Sequence, residues 1–98
     1  MELFNAKTDE KVKTKKPSMY NVFIYNDDVT DVGFVVAVLT EIFKKDRKET
    51  EAIIDETQKA GKALVGVYIR DVAVTRCNIA TQLAKENKFP LKLKWEMV

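Results

Sequence analysis

Hydrophobic and polar positions follow one another in blocks along this chain, and the blocks read as elements in a definite order. Val22, Phe23, Ile24 and Tyr25 are β-branched or aromatic and predict a first strand. Asn26, Asp27 and Asp28 follow at once; such side chains bond to nearby backbone, stop a strand and build a turn. Thr30, ahead of the acidic Asp31, is placed as a helix N-cap. Phe34, Val35, Val38, Leu39 and Ile42 then recur at helical spacing, which predicts a helix over 31–44. Asp46 and Glu49 have the spacing of a capping box, and Ile53, Ile54, Thr57 and Ala60 mark one face of a second helix. Gly61 stands where that helix needs a left-handed residue to stop.

The second half repeats the alternation. Lys62–Ile69 is rich in Val and Tyr and predicts a strand. Asp71 is placed as the cap of a third helix over 72–88, with Ala73, Cys77, Ala80 and Ala84 in line and Ile79 and Leu83 widening the face. Pro90 ends it, and Leu91, Leu93 and Trp95 alternate with Lys92, Lys94 and Glu96 as a half-exposed last strand. The expected fold is α+β in the order β-α-α-β-α-β: a small antiparallel three-stranded sheet covered on one face by three helices. Residues 1–18, with Lys7, Asp9, Glu10, Lys11, Lys13, Lys15, Lys16 and Pro17, read as a flexible arm before a domain over 19–98.

Composition narrows the chemistry. The chain has 98 residues, 46% hydrophobic and 33% charged, as expected of one soluble domain. It has no histidine and one cysteine, which excludes a Cys/His zinc site, a Ser-His-Asp or Cys-His arrangement and an internal disulfide. Gly33, Gly61 and Gly66 are too scattered for a phosphate loop. A net charge of +2 is too small to argue for nucleic acid, and the apolar runs are far shorter than the ~20 residues that span a bilayer. No secretion leader is read at the start, so a reducing cytoplasm is the expected location. What remains is the corner at Asn26, Asp27 and Asp28, which carries the chemistry to hold a cation. By spacing alone those residues also serve as an ordinary turn, and Val32, Val35, Ile54 and Leu91 as ordinary core.

Four separated motifs resemble one family. Asn26-Asp27-Asp28-x-Thr30, Gly61-Lys62-Ala63-x-x-Gly66-Val67-Tyr68, Val72-Ala73-x-Thr75-Arg76 and Ala84-x-Glu86-Asn87-x-x-Pro90-Leu91 occur in the order and spacing of ClpS, the adaptor family of the Clp protease. The likeness runs from about Ser18 to the C-terminus. It implies a non-enzymatic adaptor without a cofactor, which captures proteins bearing a large hydrophobic N-terminal residue and delivers them to a Clp ATPase.

Carried over by position, the resemblance gives Asn26 and Asp28 the substrate's α-amino group. Gln58 stands with them, where the family usually has a histidine. By the same resemblance the side-chain pocket is formed by Val32, Val35, Ile54, Thr57 and Leu91, with Thr30 beside the turn. Val32 replaces a common gate methionine, which leaves more room for branched side chains, and Thr57 adds a hydroxyl where the family is apolar. Asp71 and Arg76 map near the surface that docks on the N-terminal domain of the ATPase. The expected partners are that domain and the substrate N-terminus, with no nucleic acid, no membrane and a monomeric state. Three alternatives remain open: a regulator that docks on the ATPase without binding degrons, an interaction module like the C-terminal domain of the ribosomal stalk protein, and a weak RNA binder that uses Lys92, Lys94 and the basic arm.

Overall fold

The computed structural model describes residues 17–98, so the arm expected at residues 1–18 lies almost wholly outside the described residues. β1 (Met19–Tyr25) is the central strand, flanked antiparallel by β2 (Lys62–Ile69) and β3 (Lys92–Met97). α1 (Val32–Ala37), α2 (Arg47–Ala60) and α3 (Arg70–Glu86) complete the β-α-α-β-α-β order read from the sequence.

Alternation decides which face of the sheet is covered. Val22 and Ile24 of β1 are buried beside Ala63, Val65 and Leu93, against Val38, Leu39, Ala73, Cys77 and Ala80 of the helical layer. Leu64, Val67 and Ile69 stay exposed on the other side. Plain alternation from Ala63 would turn Val67 inward. Instead Val22 pairs with Gly66 and Phe23 with Leu64, so Val65 is an extra residue on β2 and the phase shifts there. Tyr68 thereby faces the helices and lies across Gly66, where a Cβ would come 2.6 Å from its hydroxyl oxygen. Trp95 pairs with Val22 and so sits on the helical side, at the margin of the core.

The helix ends depart from the sequence reading in instructive ways. The single helix expected over 31–44 is α1 followed by a π-helical turn, Val38–Ile42. Thr40 donates its hydroxyl to the carbonyl of Val36 at 2.8 Å, a bond that competes with a regular ladder. The wider turn keeps Val38, Leu39 and Phe43 all buried, and Lys44 closes it in the left-handed region at φ +59°. Asp31, not Thr30, caps α1, accepting from the amide of Phe34 at 3.3 Å. α3 leaves β2 directly at Arg70 with Ile69 at its N-cap, so Asp71 lies in the first turn and caps nothing. At its other end α3 stops at Glu86, ahead of Pro90, because Lys88 turns left-handed at φ +62°.

α2 follows expectation closely. Asp46 accepts from Glu49 at 2.8 Å and Glu49 accepts from Asp46 at 3.0 Å, and Gly61 ends the helix at φ +87°. One of its residues breaks the usual rule for buried polar groups: the hydroxyl of Thr50 is buried without a protein partner. A buried unpaired hydroxyl is a cost that a methyl group of the same shape avoids. Thr50→Val is therefore expected to raise stability by about 1 kcal/mol, read as a higher urea midpoint at unchanged slope.

Candidate functional site

The corner after β1 is built by one carboxylate. Asp27 accepts from the amides of Val29 and Thr30 at 2.9 and 2.6 Å, and from the hydroxyl of Thr30 at 2.7 Å. Burial pushes the Asp27 carboxyl up, but the hydrogen bonds from the Thr30 amide, the Thr30 hydroxyl and the Val29 amide together outweigh it and hold it below its ordinary value. These bonds also occupy Thr30, which is why it does not cap α1. Across the corner, the amide of Asn26 donates to the carbonyl of Gly61 at 2.9 Å and ties the turn to the C-terminus of α2. Phe34 and Phe89, with ring centroids 5.1 Å apart, join α1 to the segment that carries Leu91.

Between these elements lies a cavity of about 210 Å³. Asn26, Asp28 and Gln58 line it and are exposed, so they form a polar rim. Val32, Val35 and Ile54 form its walls, with Leu91 and Thr57 buried deeper and Thr30 beside the turn. Every residue that the sequence reading gave to amine and side-chain binding thus borders one cavity. The hydroxyl of Thr57 donates to the carbonyl of Ile53 at 2.7 Å, so its donor is satisfied within its own helix. Sequence reasoning missed Ile24 and Tyr25, which also line the cavity, and the anchoring role of Asp27. The signal for Asp27 was present: an aspartate two and three residues before Val29 and Thr30 is the spacing of a side-chain-closed turn.

Such a site can hold a cation with hydrogen-bond donors at its rim and an apolar group inside. Among the described residues no three His, Cys, Asp or Glu side chains converge as metal ligands. Asp71 and Arg76 lie apart from this cavity, in an open depression of about 260 Å³ shared with Val72 and Thr75. The Arg76 guanidinium is 5.3 Å from the ring centroid of Tyr68, and Asp71 pairs loosely with Arg70 at 3.9 Å. Cys77 belongs to the core and to neither site; burial pushes its thiol up to about 11, so it behaves as a small hydrophobe. No helix among the described residues is long and apolar enough to cross a membrane.

The family model of the ATP-dependent Clp protease adaptor protein ClpS matches residues 15–94. The chain belongs to the ClpS family. It is 45% identical over 83 residues to the ATP-dependent Clp protease adapter protein ClpS of Treponema denticola, covering 85% of this chain and 82% of that one. It is 37% identical over 92 residues to the ClpS of Desulfotalea psychrophila, covering 94% and 90%. Among solved structures, Agrobacterium tumefaciens ClpS2 bound to L-phenylalaninamide superposes with a TM-score of 0.79 at 35% identity, covering 85% of this chain and all 100% of that one. This ClpS is accordingly an adaptor of the Clp protease system, not an enzyme, and its fold is that of the family.

Proposed function

We propose that this ClpS holds the N-terminal residue of a substrate protein in the cavity and delivers it to a Clp ATPase for degradation. One observation carries the reading: a carboxylate and two amides, from Asp28, Asn26 and Gln58, share a cavity with the apolar Val32, Val35, Ile54 and Leu91. A free N-terminus is an ammonium with three donors, which a carboxylate and amide oxygens accept in charge-assisted bonds. The side chain beside it enters the cavity; an apolar cavity of ~150 Å³ takes up benzene, so about 210 Å³ has room for a phenyl or isobutyl group. Burying such a group contributes ~1.5–3 kcal/mol. The amine separates a chain end from an interior peptide, and the cavity separates one end from another. The ligand in the similar ClpS2 structure, L-phenylalaninamide, offers both features: a free α-amine and a benzyl side chain.

Docking follows from a separate surface. Asp71 and Arg76 present opposite charges on the depression at the start of α3, and this face meets the N-terminal domain of the ATPase while the cavity stays open to substrate. Val32 at the cavity wall is short and branched, which leaves space for substrate side chains that branch at Cβ.

Fluorescent peptides beginning with Phe, Leu, Ile or Val, each free and N-acetylated, test the reading in one titration series. The free forms are expected to bind and the acetylated forms to bind about a hundredfold more weakly or not at all, since acetylation removes the charge and the donors. Ile and Val are expected within about tenfold of Leu, the lower end of what a small shape difference costs in an apolar pocket. Equal behaviour of free and acetylated peptides would overturn amine recognition and leave ATPase docking as the function. Ile and Val a hundredfold below Leu would overturn only the open wall at Val32.

A further inference from the structure

The outer face of the sheet carries a basic cluster beside the cavity. Tyr25 pairs with Lys62 on one side and Lys92 on the other, and Lys94 follows on the same face of β3. The three ammoniums lie 5.8, 5.4 and 5.9 Å from the centre of the Tyr25 ring, and that of Lys62 is also 4.8 Å from the Phe23 ring. Like charges gathered on one ring repel one another, and aromatic faces offset this only in part. Among the described residues the ion pairs are Arg47 with Glu51, Lys59 with Asp55 and Arg70 with Asp71, so no carboxylate there answers this cluster.

The cluster is continuous with the cavity along the chain. Tyr25 itself borders the cavity, Lys62 follows the Gly61 carbonyl that holds Asn26, and Lys92 follows Leu91. The cavity thus has Asp27 and Asp28 in its lining, and Tyr25, which also borders it, carries the lysines on the outer face of the sheet. We propose that Lys62, Lys92 and Lys94 form a subsite for acidic side chains at the second to fourth positions of the bound substrate, an inference that rests on the cavity taking a free N-terminus. An extended chain advances ~3.3–3.6 Å per residue, and a substrate leaving the rim at Asn26 along the neighbouring Tyr25 runs towards the ring on which the three lysines gather. The cluster is only a few charges wide. Apolar Leu64 and Val67 and the acidic Glu96 bound it on the same face, which suits a pair of carboxylates and not a run of phosphates.

Free-amine peptides beginning Phe-Asp-Glu, Phe-Asn-Gln and Phe-Lys-Arg, otherwise identical, provide the test. The acidic peptide is expected to bind about fivefold tighter than the neutral one at low salt, and the basic peptide about fivefold weaker. The ranking should shrink towards equality in ~0.5 M salt, where exposed charges are screened. In the variant carrying Lys92→Glu and Lys94→Glu, the ratio of acidic to neutral affinity should collapse to about one or invert. Equal affinities for acidic and neutral peptides on the unaltered protein overturn the subsite, whatever the variant does. If none of the free-amine peptides binds, it is the cavity reading that has failed. A single-stranded oligouridine that binds while the peptides show no ranking also overturns the proposal, in favour of nucleic acid.

Discussion

Replacing Asn26 and Asp28 together by alanine is expected to lower affinity for a free-amine Phe peptide by about two to four powers of ten. A hydrogen bond to a charged group contributes ~1.5–3 kcal/mol, and the pair would supply two of them. Both side chains are exposed, and among the described residues neither makes a side-chain hydrogen bond within the protein, so thermal unfolding should stay near that of the parent. Asp27→Ala makes the informative contrast. Asp27 accepts three hydrogen bonds that close the corner, so its loss should lower the unfolding midpoint as well as the affinity. Peptide anisotropy and thermal melts on the two variants separate reading the amine from building the corner. A loss under about tenfold in the doubly substituted protein, with its melt unchanged, would show that the ammonium is held elsewhere.

That contrast also shows how far the sequence carried. Types and order of elements were legible because each had an independent local signal: aromatic and β-branched runs for strands, the Asp46 and Glu49 capping box, and the left-handed Gly61. The errors sit where two local options competed. Thr30 and Asp31 are both able to cap α1, and the choice fell to Asp31 because Asp27 had already taken the hydroxyl and amide of Thr30. Asp71 looked like a cap, yet β2 runs into α3 without a break, so the helix begins at Arg70, two residues before the expected start at 72. The π-helical turn at Val38–Ile42 satisfies a tertiary demand, the joint burial of Val38, Leu39 and Phe43, that no periodicity states in advance. The bulge at Val65 is of the same kind, visible only against the register of β1.

The candidate site was legible through the family likeness and not through spacing. Asn26 with Asp28, Gln58 and Leu91 come from three separate parts of the chain, and periodicity alone makes each a turn, surface or core residue. Folding brings them to one cavity because the Asn26 amide bonds to Gly61 and the Phe34 and Phe89 rings lock the approach to Leu91. The basic cluster at Tyr25 was legible only in part, as Lys92 and Lys94 on one strand. Lys62 and Lys92 lie thirty positions apart in the sequence, and only the shared pairing with Tyr25 unites them.

Affinity for a free-amine Phe peptide is expected to hold level between about pH 6 and 7 and then fall by about tenfold per unit above pH 8, close to a hundredfold by pH 10. The chain has no histidine, so the group best placed to change charge near neutrality is the peptide's own α-amine, with a pKa of ~7.7–8.0. Losing its proton removes both the charge that faces Asp28 and one of the three donors. At the acid end the corner itself is protected. The Asp27 carboxyl is held below its ordinary 3.8, so its stabilising contribution is present above that value and is lost only as pH falls through the lowered one. The site is thus intact at mildly acidic pH, and the alkaline fall reports the ligand and not the protein. Isothermal titration across this range, with the N-acetylated peptide alongside, measures it. An affinity that stayed flat to pH 10 would mean that the ammonium charge is not what the rim reads. A step of binding near pH 6.5 would place the titrating group on a side chain that this chain does not contain.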